Sequence, residues 1–405
     1  YKNGNTVTIT ATFNGPVLDS PIPTIAIAGS GSLGATSSTN MSKSSTTVYT
    51  YTYSVPTGDG TGTVTVGTGT DAAGNIVTAT PTSGDTFVVD NTAPSLTQQT
   101  AVVTPSNNTT PSYVFTTGEA GTITSSLAFS TTTNATTGSN QTITFNTLSA
   151  GVYSGETVTV TDTAGNAGSI TIPDFTIDTA APTGSLAYSS ASPYKQGATA
   201  TVTATFTEAL TTTPKIAISG ESSVAATNME GSGTTWTYDY TAPAGDGTDT
   251  FAFSVGTDAA GNTVTAAPTS GAQVTVDNTA PSISAVTQIA TNTPDNTPSY
   301  VFTTNETGTV TTNIGAGIGS GGTVTSTGEN TVTFAELSDA TYSSKTITLT
   351  DTAGNASSLT LSTFTVDTAA PTMTIASTTS GVTDGTTTND SSIALTFTAS
   401  QATTD

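Results

Sequence analysis

The chain of 405 residues carries 28 acidic side chains against 5 Lys plus Arg, for a formal net charge of −23. That balance argues against a nucleic-acid backbone or an anionic membrane as partner, and it attracts cations. With neither Cys nor His in the sequence, disulfide scaffolds, thiolate metal sites and a Ser-His-Asp arrangement are excluded.

From the N-terminus the sequence reads as strands. In "TVTITATF", Val7, Ile9, Ala11 and Phe13 point one way and the threonines the other. "PTIAIAG" follows, then Tyr49, Tyr51 and Tyr53 on one face, a Gly-Asp-Gly hairpin turn at 58–60, and "VGTGTDAAGN". A joint, "VVDNTAP", ends at Pro94. The next stretch opens with "NNTTPSYVFTTGEAGT" and closes on "VTVTDTAGN" before the joint at Pro182. The first pattern then returns with "TVTATF", "PKIAISG" and "TWTYDY", which sets Trp236, Tyr238 and Tyr240 on one face. Gly-Asp-Gly recurs at 245–247, a joint at Pro281, the second pattern after it, and a last joint at Pro371. Thr is a good strand former whose hydroxyl tolerates water, so it suits the solvent face. No long run pairs good helix formers with a helical period.

The roughly ninety-residue spacing of the joints fits a whole sandwich domain per repeat. Two module types alternate: type A at 1–94 and 183–281, type B at 95–182 and 282–371, with 372–405 a partial fifth module or a donor segment. The expected fold is all-β, tandem immunoglobulin-like β-sandwich modules in an elongated array. The second type A copy has "PTGSLAYSSASP" before its "YK", a first strand that the first copy lacks. Two readings of these ends stay open: a window cut from a longer repetitive protein, or a subunit whose last segment completes its neighbour's first module.

The phrases "DTAGN … FTIDTAAP", "TDAAGN … VDNTAP" and "TPSYVFTTGEAGT" resemble the bacterial Ig-like repeats of large surface adhesins and biofilm-associated proteins, over nearly the whole chain. The resemblance implies a secreted protein, a long extracellular stalk, and calcium at module junctions. It implies spacer, adhesin, matrix or surface-layer roles without choosing among them.

The residues themselves leave two compatible readings of the repeated Asp-Ala-Gly-Asn phrase. Asp can accept backbone amides, Gly supplies a positive φ and Asn tolerates a left-handed conformation, which together make a tight turn. Alternatively the phrase gives oxygens to Ca2+, which wants six to eight of them. The turn acids are Asp71, Asp162, Asp258 and Asp351; the joint offers Asp90 with Asn91, Asp178, Asp277 with Asn278, and Asp367. Glu119, Glu208 and Glu306 follow an early strand at matching places in three modules, where the first module has Gly15 and the fifth Gln401. The expected site combines a joint Asp, the turn of one module and the Glu near the start of the next.

No enzyme is expected, because the acids recur with the modules whereas a catalytic pair would appear once. Lys2 and Lys195 match between the type A modules and keep open a self-formed isopeptide bond. Sequons at Asn40, Asn107, Asn108, Asn134, Asn140, Asn305, Asn355 and Asn389 are compatible with glycans. No apolar run is long enough to span a membrane in the visible chain. The expected function is a non-enzymatic extracellular structural or adhesive stalk whose partners are like subunits or surface and matrix components. A head-to-tail filament, sheath or surface-layer subunit is the alternative, and a carbohydrate-binding array the third.

Overall fold

The computed structural model describes residues 1–131 and 133–400, and every regular element in them is a strand. Alternation sets the faces as the sequence implies. Along Thr6–Thr12 the half-buried positions are Val7, Ile9 and Ala11, paired antiparallel with Tyr53, Tyr51 and Tyr49. The outward hydroxyls meet across strands, Ser112 with Thr144 at 2.9 Å and Thr159 with Ser169 at 2.6 Å, so the wet face also holds register.

The chain divides into two compact units, Tyr1–Ala181 with Thr257–Thr263, and Pro182–Gly256 with Val264–Asp405. In the first unit, the first module stacks a three-stranded sheet (Thr6–Thr12, Val48–Ser54, Ser42–Lys43) on a four-stranded one (Thr36–Asn40, Thr24–Gly29, Gly60–Gly67, Thr86–Val89). Ile25, Ile27, Tyr49 and Val89 fill the space between them. The second module sets Gln141–Thr144, Ser112–Thr117 and Leu96–Thr100 against Asn134–Ala135, Gly121–Ser125, Thr157–Thr161 and Ala167–Thr171. Tyr113, Phe115, Phe145 and Phe175 are its largest buried side chains. Tyr153 stacks on Phe175 and donates its hydroxyl to the Ser149 carbonyl four residues upstream, a tyrosine corner of the kind found in immunoglobulin-like sandwiches.

The second unit repeats both plans. Its type A module pairs Gly184–Tyr188 with Thr199–Leu210 and then Glu230–Thr241, facing Val224–Asn228, Lys215–Ser219, Gly247–Ser254 and Gln273–Val276. Trp236 is 7% exposed, which removes it as a platform for sugar rings. The type B module buries Tyr300, Phe302, Phe334 and Phe364, and Tyr342 donates to the Ser338 carbonyl at 2.9 Å. Met373–Ser377 and Leu395–Ala399 then form a two-stranded sheet. The architecture is an all-β, multi-domain, immunoglobulin-like one.

Candidate metal centres

The Asp-Ala-Gly-Asn phrase is a turn in all four modules. Asp71, Asp162, Asp258 and Asp351 each accept the backbone N–H of the Asn four residues on, at 2.8–2.9 Å. The same Asn closes the loop by donating Nδ2 to the second carboxylate oxygen, at 2.8–3.0 Å. Gly165 at φ +94° takes the left-handed position that a side chain would strain. Burial opposes ionisation of Asp162, but the Asn166 side chain and the turn amides outweigh it and hold the carboxyl below its ordinary range.

The same Asn has a second partner. Asn166 Nδ2 donates to the Asp90 carbonyl and Asn262 Nδ2 to that of Asp178, each at 2.9 Å. In the second unit Asn355 Nδ2 donates to the Asp277 carbonyl at 2.9 Å. Each of these three turns is therefore fastened to the joint that enters its own module. The sequence reading placed the turn on the module before the joint, and the hairpin explains the difference. Thr157–Thr161 and Ala167–Thr171 return the turn to the module's entry, where a Cβ on Gly168 would lie 1.8 Å from the Pro94 carbonyl oxygen. Asn355 uses its amide on two acceptors and is unsuited to carry a glycan.

Two acidic clusters result. Asp90, Glu119 and Asp162 gather in the first unit, and Asp277, Glu306 and Asp351 in the second, one oxygen of each lying within 4.8 Å of the others. Glu119 Oε2 is buried with no hydrogen-bond partner. Burial first, and then the neighbouring carboxylates of Asp90, Asp162 and Asp59, push the Glu119 pKa up. Glu306 is pushed up in the same way by burial and by Asp277, Asp351 and Asp246. The ion pair seen among the described residues joins Lys43 to Asp19, outside both clusters.

The remaining candidates divide. Asp178 and Asp258 lie in the first unit, and Glu208 is on the strand Thr199–Leu210 of the second. Asp71 and Asp367 join no group of three acidic side chains among the described residues, and Gln401 lies outside those residues. Asn91 and Asn278 are directed elsewhere. Asn91 Oδ1 accepts the Asn3 N–H and its Nδ2 donates to the Gly58 carbonyl at 2.7 Å; Asn278 treats Gln196 and Gly245 in the same way. These amides tie the joint back to the preceding module.

Asp59 and Asp246 escaped the sequence reading, which saw only hairpin turns in Gly-Asp-Gly. They are turns, but Asp59 also accepts the Asn91 N–H and the Thr92 hydroxyl, and Asp246 those of Asn278 and Thr279. The usable signal was that Gly-Asp-Gly and a joint reading Asp-Asn-Thr occur in the same modules. Lys2 donates Nζ to the Gly165 carbonyl and Lys195 to that of Gly354, so both lysines clasp the following module's turn. That contact occupies the matched pair considered for an isopeptide bond.

Removing the Asn166 amide should therefore cost two bonds, one within the turn and one to the joint. Asn166→Ala is expected to destabilise the chain by about 1–2 kcal/mol, and Asn75→Ala, whose amide donates within its own turn, by about half as much. Urea unfolding of the two variants checks the difference.

Residues 328–404 match the bacterial Ig-like domain (group 3). The matched stretch straddles the joint at Pro371. No curated protein matches the sequence. Among solved structures, the chain is similar to Escherichia coli alpha-2-macroglobulin activated by porcine elastase (11% identity, TM-score 0.17), covering 93% of this chain and 43% of that one. It is similar to an ICAM-5 D1–D4 ectodomain fragment (11%, 0.25; 90% and 96% covered) and to surface layer protein SbsC, domains 1–6 (14%, 0.19; 98% and 62%). The chain spans less than half the length of the Escherichia coli and Salmonella alpha-2-macroglobulins it matches. At these scores the superpositions carry no argument about function.

Proposed function

We propose that the chain is a non-enzymatic, extracellular array of Ig-like modules, a structural or adhesive stalk stiffened by calcium at its joints. The observation that carries this reading is the buried, unpartnered Glu119 Oε2 aimed among Asp90 and Asp162. Like charges packed this closely repel, and desolvation worsens the cost. A divalent cation with a preference for oxygen ligands reverses the sign of that interaction, and calcium takes its ligands from carboxylates and carbonyls such as these. Three joints repeat the donor pattern in sequence, at Asp90/Glu119/Asp162, Asp178/Glu208/Asp258 and Asp277/Glu306/Asp351. Within each unit, the clusters Asp90/Glu119/Asp162 and Asp277/Glu306/Asp351 combine an acid from the joint with two from the following module, so an ion there would resist bending of that joint. Stiffness along an array is of use to a stalk, and the recurrence of the site suits a structural role better than catalysis.

Calorimetry in excess EDTA and in millimolar calcium tests the reading. A ligand held only by the folded state, at a hundred times its Kd, stabilises by about 2.7 kcal/mol, or roughly 10 °C for a module of this size. Superimposable melts would remove calcium from the account.

A further inference from the structure

Antiparallel pairing dominates these sheets, and its exceptions fall in one place. Among the described residues, parallel pairing joins Ser106 to Ile177, Tyr194 to Val276, and Asn292–Thr293 to Thr365–Val366. In each case a segment just after the module's first strand lies along the strand that leaves the module, Phe175–Ile177, Gln273–Val276 or Phe364–Val366.

The bonds repeat with the pairing. Ser106 N–H donates to the Thr176 carbonyl at 3.1 Å, and the Ser106 carbonyl accepts the Asp178 N–H at 2.9 Å. Tyr194 makes the same two bonds with Thr275 and Asp277, each at 2.9 Å. In the fourth module Thr365 N–H donates to the Thr291 carbonyl at 2.7 Å, and Asp367 N–H to that of Thr293 at 3.0 Å. Thr104 stands in the second module where Thr291 stands in the fourth, and its hydroxyl oxygen accepts the Thr176 N–H at 2.9 Å. The early segment is pinned in turn by its own side chains. Ser106 Oγ accepts the Asn108 N–H and Thr293 Oγ1 the Asp295 N–H, while Tyr194 is buried in its module's core.

The last donor of each patch is the joint Asp. In two of the three its carbonyl is also gripped by a turn, Asp178 by Asn262 and Asp277 by Asn355. One residue therefore passes a pull at the joint directly into the patch. Direction decides what the patch then does. Because its two segments run parallel, a pull on the module's ends draws the early segment one way and the leaving strand the other, along their length. The bonds across the patch are loaded together, whereas a hairpin pulled at its open end parts one bond at a time.

We propose that these parallel patches are force-bearing clamps and that the chain works under tension along its length. The use of a clamp rests on the stalk reading, but its mechanics need no calcium. An ion at a joint resists bending; the clamp inside the module resists pulling.

Holding the 405-residue chain at constant force, by a Cys appended at each end since the sequence has none, tests this. Forced unfolding reads the unfolding rate, so the time each module survives reports the bonds that break at the barrier. Ser106→Pro removes one clamp donor and should shorten the survival of one module about fivefold. Thr365→Pro should do the same to another. Thr104→Val keeps the backbone and deletes only the oxygen that Thr176 uses, so it should act in the same direction more weakly. If a Pro variant fails to fold, one unfolding step vanishes from each trace, and Thr104→Val decides the matter. Ile123→Ala opens the core of the second module instead. It should lower thermal stability while leaving survival under force within about twofold of the parent. Survival that follows thermal stability, with Ile123→Ala shortened and the clamp variants unchanged, overturns the proposal. So does a clamp effect that appears only in calcium. The ratios to the parent should be the same in EDTA, so superimposable melts would remove the ion and leave the clamp standing.

Discussion

Replacing Glu119 and Glu306 together by Gln is expected to raise the melting temperature of the chain in EDTA and to remove most of the rise that calcium produces. Both effects come from one geometry. Burial, followed by neighbouring carboxylates, raises the pKa of both glutamates. A carboxyl whose folded pKa lies above its unfolded value stabilises the fold while protonated. Its contribution is present in acid and is lost as pH rises through the raised value. Once pH has risen through that value the metal-free protein carries two crowded carboxylates, and Gln relieves them without changing shape. Asp59, Asp71, Asp162 and Asp246 are shifted the opposite way by their hydrogen bonds, and their contribution is lost as pH falls. Comparing the variant with the parent cancels that second group. The gap between them should open as pH rises through the glutamate range in EDTA, to roughly 1–3 °C. In calcium the order should reverse, because the parent gains the ion and the variant largely does not. A variant less stable than the parent in both buffers would mean that the glutamates serve packing alone.

Asp249→Gly should destabilise the third module by about 3 kcal/mol, and Val274→Phe should restore much of the loss. Asp249 is fully buried, accepts the Ser222 N–H and hydroxyl at 2.5 Å each, and accepts the Tyr240 hydroxyl at 2.7 Å. Deleting it removes the acceptor that these three buried donors share. The first module solves the same position differently. Gly62 stands there, paired across the sheet with Phe87, whose ring would lie 2.4 Å from a Cβ at Gly62. Asp249 is paired in the same way with Val274. The two modules thus exchange a Gly–Phe pair for an Asp–Val pair, and the Gly–Phe version leaves the Tyr53 hydroxyl buried without a partner. Urea denaturation of the single and double variants measures the coupling. If the two changes are simply additive, the swap is not a unit.

Much of this architecture was legible in the sequence. Thr–Val alternation placed the strands, because a strand's faces follow a period of two. The association of a joint Asp with the Glu of the following module, Asp90 with Glu119 and Asp277 with Glu306, was read from their recurrence. Ownership of the turn was not. The hairpin Thr157–Thr171 carries Asp162 back to the entry of its own module, and spacing along the chain cannot reveal which end a hairpin returns to. Asn91 and Asn278 looked like oxygen donors because amides can ligate calcium; their bonds to Gly58 and Gly245 depend on a loop over thirty residues away. Asp59 and Asp246 were hidden for the complementary reason, since a glycine-flanked aspartate explains itself as a turn.

Equilibrium dialysis against calcium, on the parent chain and on the Glu119→Gln/Glu306→Gln variant, tests the central claim most directly. The account predicts saturable binding by the parent and a loss of about two ions per chain in the variant, one for each cluster. Equal binding by the two proteins, or no saturable binding by either, would contradict it and leave the Asp-Ala-Gly-Asn phrase as a turn that fastens each module to its joint.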